Sequence, residues 1–321
     1  MIKQVKHHTK QAFPALRYRN YQIFFTAQMI SLTGLWMQMV GQGYLVFQLT
    51  HSAFMVGLMA AIAQLPALFF TLIGGTLADR FPKKNILRIT QLFQFILASG
   101  LGIAVISGHI DLISLGVFTF LMGLVSAIDQ PTRISIIVEL VERKDLHSAI
   151  ATNMSVFSSA RIIGPAVAGW LIFAFGVGWA FLLNGISYLA PFLAYHFIKF
   201  APHIKKPHPG TLNAIREGIH YAATHEIIRL LLLYLGIISV FGWSYTVLLP
   251  VLAEKVFNQG AQGLGYLYSA AGLGSVIGAI FVSIYTRRFD PKKLMFFGGL
   301  LYATALIGFS LTHVFEFALI L

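Results

Sequence analysis

No cysteine occurs in the 321 residues. Disulfides and thiolate metal sites are therefore excluded. Charge is scarce, with Asp, Glu, Lys and Arg making up 11% of the chain. Soluble domains carry about 25%. Acids are the scarcer sign, 11 against 23 Lys and Arg, which leaves a formal net charge of +12. No phosphate-binding loop, metal-ligand cluster or nucleophilic triad is visible. No cofactor is expected, and an enzyme is disfavoured. Apolar surface is what the chain has in plenty. Hydrophobic residues make up 57%, and mean hydropathy is +0.76. This composition fits an all-helical integral membrane protein whose main partner is the lipid bilayer. The first twenty residues are basic and polar, so no cleavable signal peptide is expected.

A membrane-spanning helix needs about 20 largely apolar residues at 1.5 Å rise each. Nine such segments are predicted. They run from Tyr21 to Phe47, Ala53 to Leu77, Ile86 to Ile106, Leu112 to Ile128 and Ser148 to Phe175. The remaining four are Gly178 to Phe197, Ile227 to Val247, Gly263 to Ile284 and Leu294 to Leu311. A tenth begins near Val314. Lys and Arg fall on alternate connections. Lys3, Lys6, Lys10, Arg17 and Arg19 precede the first span, and Arg80, Lys83, Lys84 and Arg88 follow the second. Arg133, Arg143 and Lys144 follow the fourth, and Lys199, Lys205, Lys206, Arg216 and Arg229 follow the sixth. Arg287, Arg288, Lys292 and Lys293 follow the eighth. Lys255 alone lies on the other side, and Arg161 lies inside a span. Positive charge stays in the cytoplasm, so the amino terminus and the even-numbered hairpins are predicted to face it. The basic charge sits between spans, which removes nucleic acid as a partner.

Three units are predicted: a six-helix half over 1–200, a cytoplasmic linker over 201–226, and part of a second helical half over 227–321. The linker opens with a Pro- and Lys-rich stretch. It then places Leu212, Ile215, Ile219 and Ala222 on one helical face and Arg216, Glu217 and His220 on the other, an interfacial amphipathic helix. Arg287-Arg288-Phe289-Asp290-Pro291-Lys292-Lys293 after the eighth span weakly repeats Asp79-Arg80-Phe81-Pro82-Lys83-Lys84 after the second. Parallel six-span halves are a transporter architecture.

The motifs give a family resemblance. Gly75-x-Leu77-Ala78-Asp79-Arg80-x-Pro82-Lys83-Lys84 resembles the second-to-third-helix motif of the major facilitator superfamily, with Pro82 where glycine is usual. In the fifth span, Ala160-Arg161-Ile162-Ile163-Gly164-Pro165-Ala166-Val167-Ala168-Gly169 resembles the exporter motif, with alanines for two of its glycines. Asp129-x-Pro131-x-Arg133, Arg216-Glu217-Gly218 and Leu249-Pro250-Val251 resemble the enterobactin-exporter and macrolide-efflux branch. The resemblance implies a monomeric bacterial inner-membrane transporter working by alternating access and coupled to protons. It would export an amphipathic small molecule such as a siderophore or drug. Twelve spans are usual in the family, so the chain is expected to be a fragment. An importer or lipid transporter on the same scaffold, or a membrane protein that does not transport, stays open.

Candidate functional residues fall into three sets. Gly75, Asp79, Arg80, Lys83, Lys84, Asp129 and Arg133 sit where spans two to four reach the basic side. The resemblance implies that Asp79 and Arg80 latch that side, and Asp129 and Arg133 lie at a depth where charges pair across helices. Arg161 lies about 20 Å into its span, too deep to snorkel, and so contacts an anionic substrate or fixes packing by bonding to neighbouring helices. Gln28, Ser31, Leu35, Gln38 and Gln42 share one face of the first span, and Asn184, Tyr188, Pro191 and Tyr195 one face of the sixth. As aligned stripes they are read as lining a central cavity. Singly, each would serve as a bond between helices worth about 1 kcal/mol or less. Trp36, Trp243 and Tyr245 could face the same substrate or simply pack. Gly164, Pro165 and Gly169 should kink the fifth span and let another helix approach. Gly272, Gly274 and Gly278 are read as helix packing. No acid or histidine stands at the middle of a span, with Asp129 the nearest proton carrier.

Overall fold

A computed structural model describes residues 13–200, 220–285 and 290–321. Among them nine helices are long and apolar enough to cross a bilayer, and no strand occurs. They are α1 (Arg19–Thr50), α2 (Ala53–Arg80), α3 (Lys83–Ile106), α4 (Leu112–Leu140), α5 (Leu146–Phe175), α6 (Val177–Phe197), α7 (Glu226–Lys255), α8 (Gly260–Tyr285) and α9 (Pro291–Leu311). A short α10 (Phe315–Ile320) follows. The predicted linker and the repeated Arg287-Arg288-Phe289 lie largely outside the described residues.

Short connections make successive helices antiparallel, and their ends are capped locally. Ser52 caps α2 by accepting from the Met55 N–H at 3.4 Å, and Asp111 caps α4 by accepting from the Ser114 N–H at 2.9 Å. These bonds hold the Asp111 carboxyl below the usual carboxylate range. The cap is complete at neutral pH and is lost as pH falls through that depressed value. Between α5 and α6 the chain turns at one residue, Gly176, whose φ of 94° suits glycine.

Two helices run beyond their predicted ends. The Gln130-Pro131 pair reads as the end of a span, yet α4 continues to Leu140. Proline removes the bond to the carbonyl four residues back, here Ala127. Gly74 of α2 lies against that carbonyl, and a β-carbon there would overlap it. Helix α7 likewise continues through Pro250 to Lys255. It contains a π-helical turn over Ile238–Gly242, closed by the Trp243 N–H donating to the Ile238 carbonyl at 2.9 Å.

Helices α1, α3, α4, α5 and α6 share one core at the base-rich end of the bundle. Tyr21, Phe24, Leu87, Ile136, Ala149, Tyr195 and Ile198 are buried together there. At the base-poor end the core draws on both groups of helices: Phe47, Val56, Leu171 and Ile172 pack with Ala253, Phe257 and Leu264. Outward-facing residues such as Leu68, Phe69, Phe173 and Phe281 are exposed, as lipid-facing positions of a bilayer protein are.

The seam between the groups is α5 against α8. Small residues bring the two backbones together: a β-carbon at Gly265 would lie 2.7 Å from the Pro165 carbonyl oxygen and 3.0 Å from Gly169 Cα. Ser269 donates to the Ile162 carbonyl at 2.9 Å, one turn before Pro165. A β-carbon at Gly272 would come within 3.1 Å of the Arg161 carbonyl, the one left unbonded by Pro165. Backbone atoms cannot give way as a side chain can. Gly265→Val is therefore expected to cost about 1–3 kcal/mol through overpacking. Gly274→Ala on the same helix, where a β-carbon meets nothing within 4 Å, should be neutral or slightly stabilising. Thermal unfolding of the purified protein in detergent separates them, and equal melting of the two variants would contradict this packing.

Candidate functional site

Three polar constellations stand inside the bundle. The first surrounds Asp129 on α4, which is 4% exposed. Thr90 Oγ1 and Gln91 Nε2 of α3 donate to its Oδ1 at 2.7 and 2.8 Å. Arg133, one turn further along α4, places Nε 3.6 Å from Oδ2. Arg133 also donates to Gln28 Oε1 on α1 at 3.1 Å, and Gln28 Nε2 donates to Tyr195 Oη on α6 at 3.1 Å. Four helices of the first group are thus joined through one carboxylate. Thr90 and Gln91 are not among the candidates read from the sequence, whereas Tyr195 belongs to the polar stripe of the sixth span. The signal for Thr90 and Gln91 was present as adjacent polar residues in an apolar span.

The second constellation lies further along α1 and α6. Asn184 donates to Gln38 Oε1, Ser187 Oγ donates to the Asn184 carbonyl at 2.7 Å, and Gln38 Nε2 approaches Met122 Sδ at 3.5 Å. The structure places Gln28, Ser31, Gln38, Asn184 and Tyr188 in the contacts between helices, each less than 9% exposed, whereas Gln42 is half-buried. Gly34 makes this possible, since a β-carbon there would collide with Asn184 and Ser187.

The third stands at the seam. Arg161, half-buried, lies on α5 one turn before Pro165 and about 22 Å of helix rise from Leu146. Its guanidinium carbon is over the Trp36 ring of α1 at 5.6 Å and over the Trp243 ring of α7 at 5.2 Å. Trp36 in turn meets Phe157 edge-on at 5.7 Å. Tyr245 and Tyr302 lie within the field of the Arg161 charge. Tyr302 Oη of α9 donates to the Gly242 carbonyl at 2.9 Å, bracing the π turn just before Trp243. Among the described residues no carboxylate forms an ion pair with Arg161. Gly164 allows α1 this close, because a β-carbon there would lie 2.6 Å from Trp36 Cβ. Gly169 serves the other neighbour, α8, with Ala261 O 2.8 Å from its would-be β-carbon. The Gly164-Pro165-x-x-x-Gly169 segment therefore fits α5 to one helix from each group.

The hairpin after α2 divides its charges. Asp79 and Arg80 are exposed. Lys83 Nζ bonds Glu139 Oε1 at 2.6 Å and the Ser135 carbonyl at 3.2 Å, both on α4. Lys84 Nζ donates to the His196 carbonyl at the end of α6 at 3.2 Å. Lys83–Glu139 is an ion pair that crosses helices here. Asp129 takes its partners from α3 and from its own helix. Gly75 has open space around its α-carbon, and the close approach to α4 is made by its neighbour Gly74. At the opposite end Lys255 of α7 reaches the first group, with Nζ 3.4 Å from the His51 carbonyl and 5.4 Å from the centre of the Phe47 ring.

Two groups of apolar helices, a seam carrying the kinked Gly-Pro segment and a basic hairpin after the second helix define a class. Residues 10–321 match the transmembrane secretion effector family. The chain belongs to that family of major facilitator transporters, so it is a multi-pass secondary transporter and not an enzyme. It is 24% identical over 286 residues to the staphyloferrin A transporter of Staphylococcus aureus, covering 89% of this chain and 72% of the relative. It is 23% identical over 290 residues to the enterobactin exporter EntS of an Escherichia coli strain, covering 90% of this chain and 69% of that one. In fold it is similar to a bacterial homologue of the human lysosomal transporter Spinster, with a TM-score of 0.73 and 16% identity over 94% of this chain and 70% of that one. A POT family transporter aligns with a TM-score of 0.62 and 14% identity, over 94% of this chain and 79% of that one.

Proposed function

We propose that the chain acts in proton-coupled export of siderophore-like small molecules across the bacterial inner membrane, as a monomer with its amino terminus in the cytoplasm. The observation that carries this reading is the seam. The segment resembling the exporter motif fits α5 against both helix groups beside a mid-bundle arginine, as a pivot between rocking halves would require. Two relatives named for siderophores supply the substrate class.

The conformation fits one stage of an alternating-access cycle. Both groups join at the base-poor end through Phe47, Val56, Ala253, Phe257 and Lys255. The positive-inside rule makes that end the outer one. At the inner end Asp79 and Arg80 are the proposed latch of the closed inner side. Lys83 and Lys84 hold the hairpin in place, and Lys83 ties it to α4. Arg161 faces substrate in the seam. Gln28, Ser31, Gln38, Gln42, Asn184 and Tyr188 shape the wall behind it, and Gln42 is the most open of them. Asp129, with Arg133 beside it, is the proposed proton carrier, because it is the deepest carboxylate among the described residues of α1 to α6.

The test is direction and drive. Inside-out vesicles containing the protein should accumulate staphyloferrin A or enterobactin when acidified inside, and a protonophore should abolish the uptake. Accumulation only in right-side-out vesicles would make the protein an importer, and no accumulation of either compound would remove the siderophore assignment.

A further inference from the structure

Trp36 has a second property besides its place beside Arg161. Its indole Nε1 is buried without a hydrogen-bond partner among the described residues. A buried N–H left unpaired is destabilising, and an intramembrane cation without an acid is more so. The two deficits share one place. Arg161 is held over the Trp36 ring and has no ion pair among the described residues. It is also only half-buried, so part of the guanidinium stays open. Both groups are pure donors, because neither guanidinium nor indole N–H can accept. They cannot satisfy each other. The missing partner must be an acceptor, and a negative one to suit the arginine.

We infer that Arg161 and Trp36 together form an oxyanion-binding site, with Trp243 as its apolar wall, for a small molecule that joins a carboxylate or similar oxyanion to an aromatic or apolar body. This rests on the proposed transport function only in taking the bound molecule to be cargo. Guanidinium edges bind carboxylates through paired N–H donors, and such charge-assisted bonds are about twice as strong as neutral ones. The indole faces hold the arginine while leaving its N–H edge for the ligand. Trp243, and Phe157 edge-on to Trp36, give the ligand body apolar surroundings. A neutral molecule of the same shape would leave the charge uncompensated and should bind poorly.

Benzoate and its neutral analogue benzamide are the probes. Trp170 and Trp179 are replaced by phenylalanine, so that fluorescence excited at 295 nm reports on Trp36 and Trp243 alone. In the full chain in detergent, benzoate should give a saturable change and benzamide none. Arg161→Gln should weaken the benzoate response at least tenfold, and Arg161→Lys should restore part of it. Trp36→Phe keeps a ring beneath the guanidinium and removes the N–H. It should weaken benzoate several-fold as read from Trp243, and circular dichroism checks that each variant is folded. Equal responses to benzoate and benzamide, or a benzoate response unchanged in folded Arg161→Gln, would overturn the site. Vesicle flux is measured in parallel. Benzoate binding without flux of any siderophore overturns the transport reading and leaves the site standing, and flux without benzoate binding does the reverse.

Discussion

Asp129→Ala is expected to destabilise the protein by about 3–5 kcal/mol, the cost of removing one member of a buried ion pair. The mutation orphans more than Arg133. Gln91 loses the acceptor of its amide, Thr90 is left with the Leu87 carbonyl, and Arg133 keeps Gln28. The carboxylate side chain is 6% exposed, so water cannot easily replace it. Asp129→Asn should cost less, because its amide oxygen still accepts from Thr90 and Gln91. Thermal unfolding in detergent would show the order wild type, Asn, Ala. If alanine melts with wild type, the carboxylate is not what joins these four helices. Asn retaining wild-type stability while losing the response to a proton gradient would point to Asp129 as the carrier.

Arg161→Ala is expected to reduce siderophore accumulation in inside-out vesicles by roughly ten- to a hundredfold. A hydrogen bond to a charged group contributes about 1.5–3 kcal/mol, and each 1.4 kcal/mol is a factor of ten in binding. Stability should change in the opposite sense or little, because a desolvated cation without an acid is removed. This separation is the diagnostic. A variant that melts like wild type and exports at the wild-type rate would make Arg161 a packing residue held by its two indoles. Arg161→Lys should fall between, since the ammonium keeps charge but not the planar fork.

Much of this architecture is legible in the residues. Nine apolar segments match nine helices, because a bilayer tolerates little else. Arg161 stood out because charge inside a span is rare. Its partners did not stand out. Trp36 and Trp243 lie in the first and seventh spans, and nothing local distinguishes a tryptophan beside an arginine from one at the membrane interface. Asp129 falls just beyond Ile128, where the apolar run of the fourth span ends. The helix runs on to Leu140, and Gly74 of another helix lies against the carbonyl that Pro131 leaves unbonded. That tolerance belongs to the pair of helices and not to either sequence segment. The polar stripes of α1 and α6 were legible as stripes. Their hydrogen bonds depend on the rotation of one helix against the other, which periodicity leaves open.

The π turn in α7 has a consequence for insertions and deletions. A turn closed across five residues holds about one residue more than an α-helical turn. Each residue of an α-helix advances the face by about 100°. Residues before Ile238 and residues after Gly242 are therefore out of phase by about that angle relative to an unbroken helix. Removing one residue from the turn would keep α7 helical and apolar, and hydropathy would register nothing. It would also swing Trp243 away from Arg161 or displace the whole lipid-facing half of the helix. At this point in the chain, a change in length is more consequential than a change in residue type.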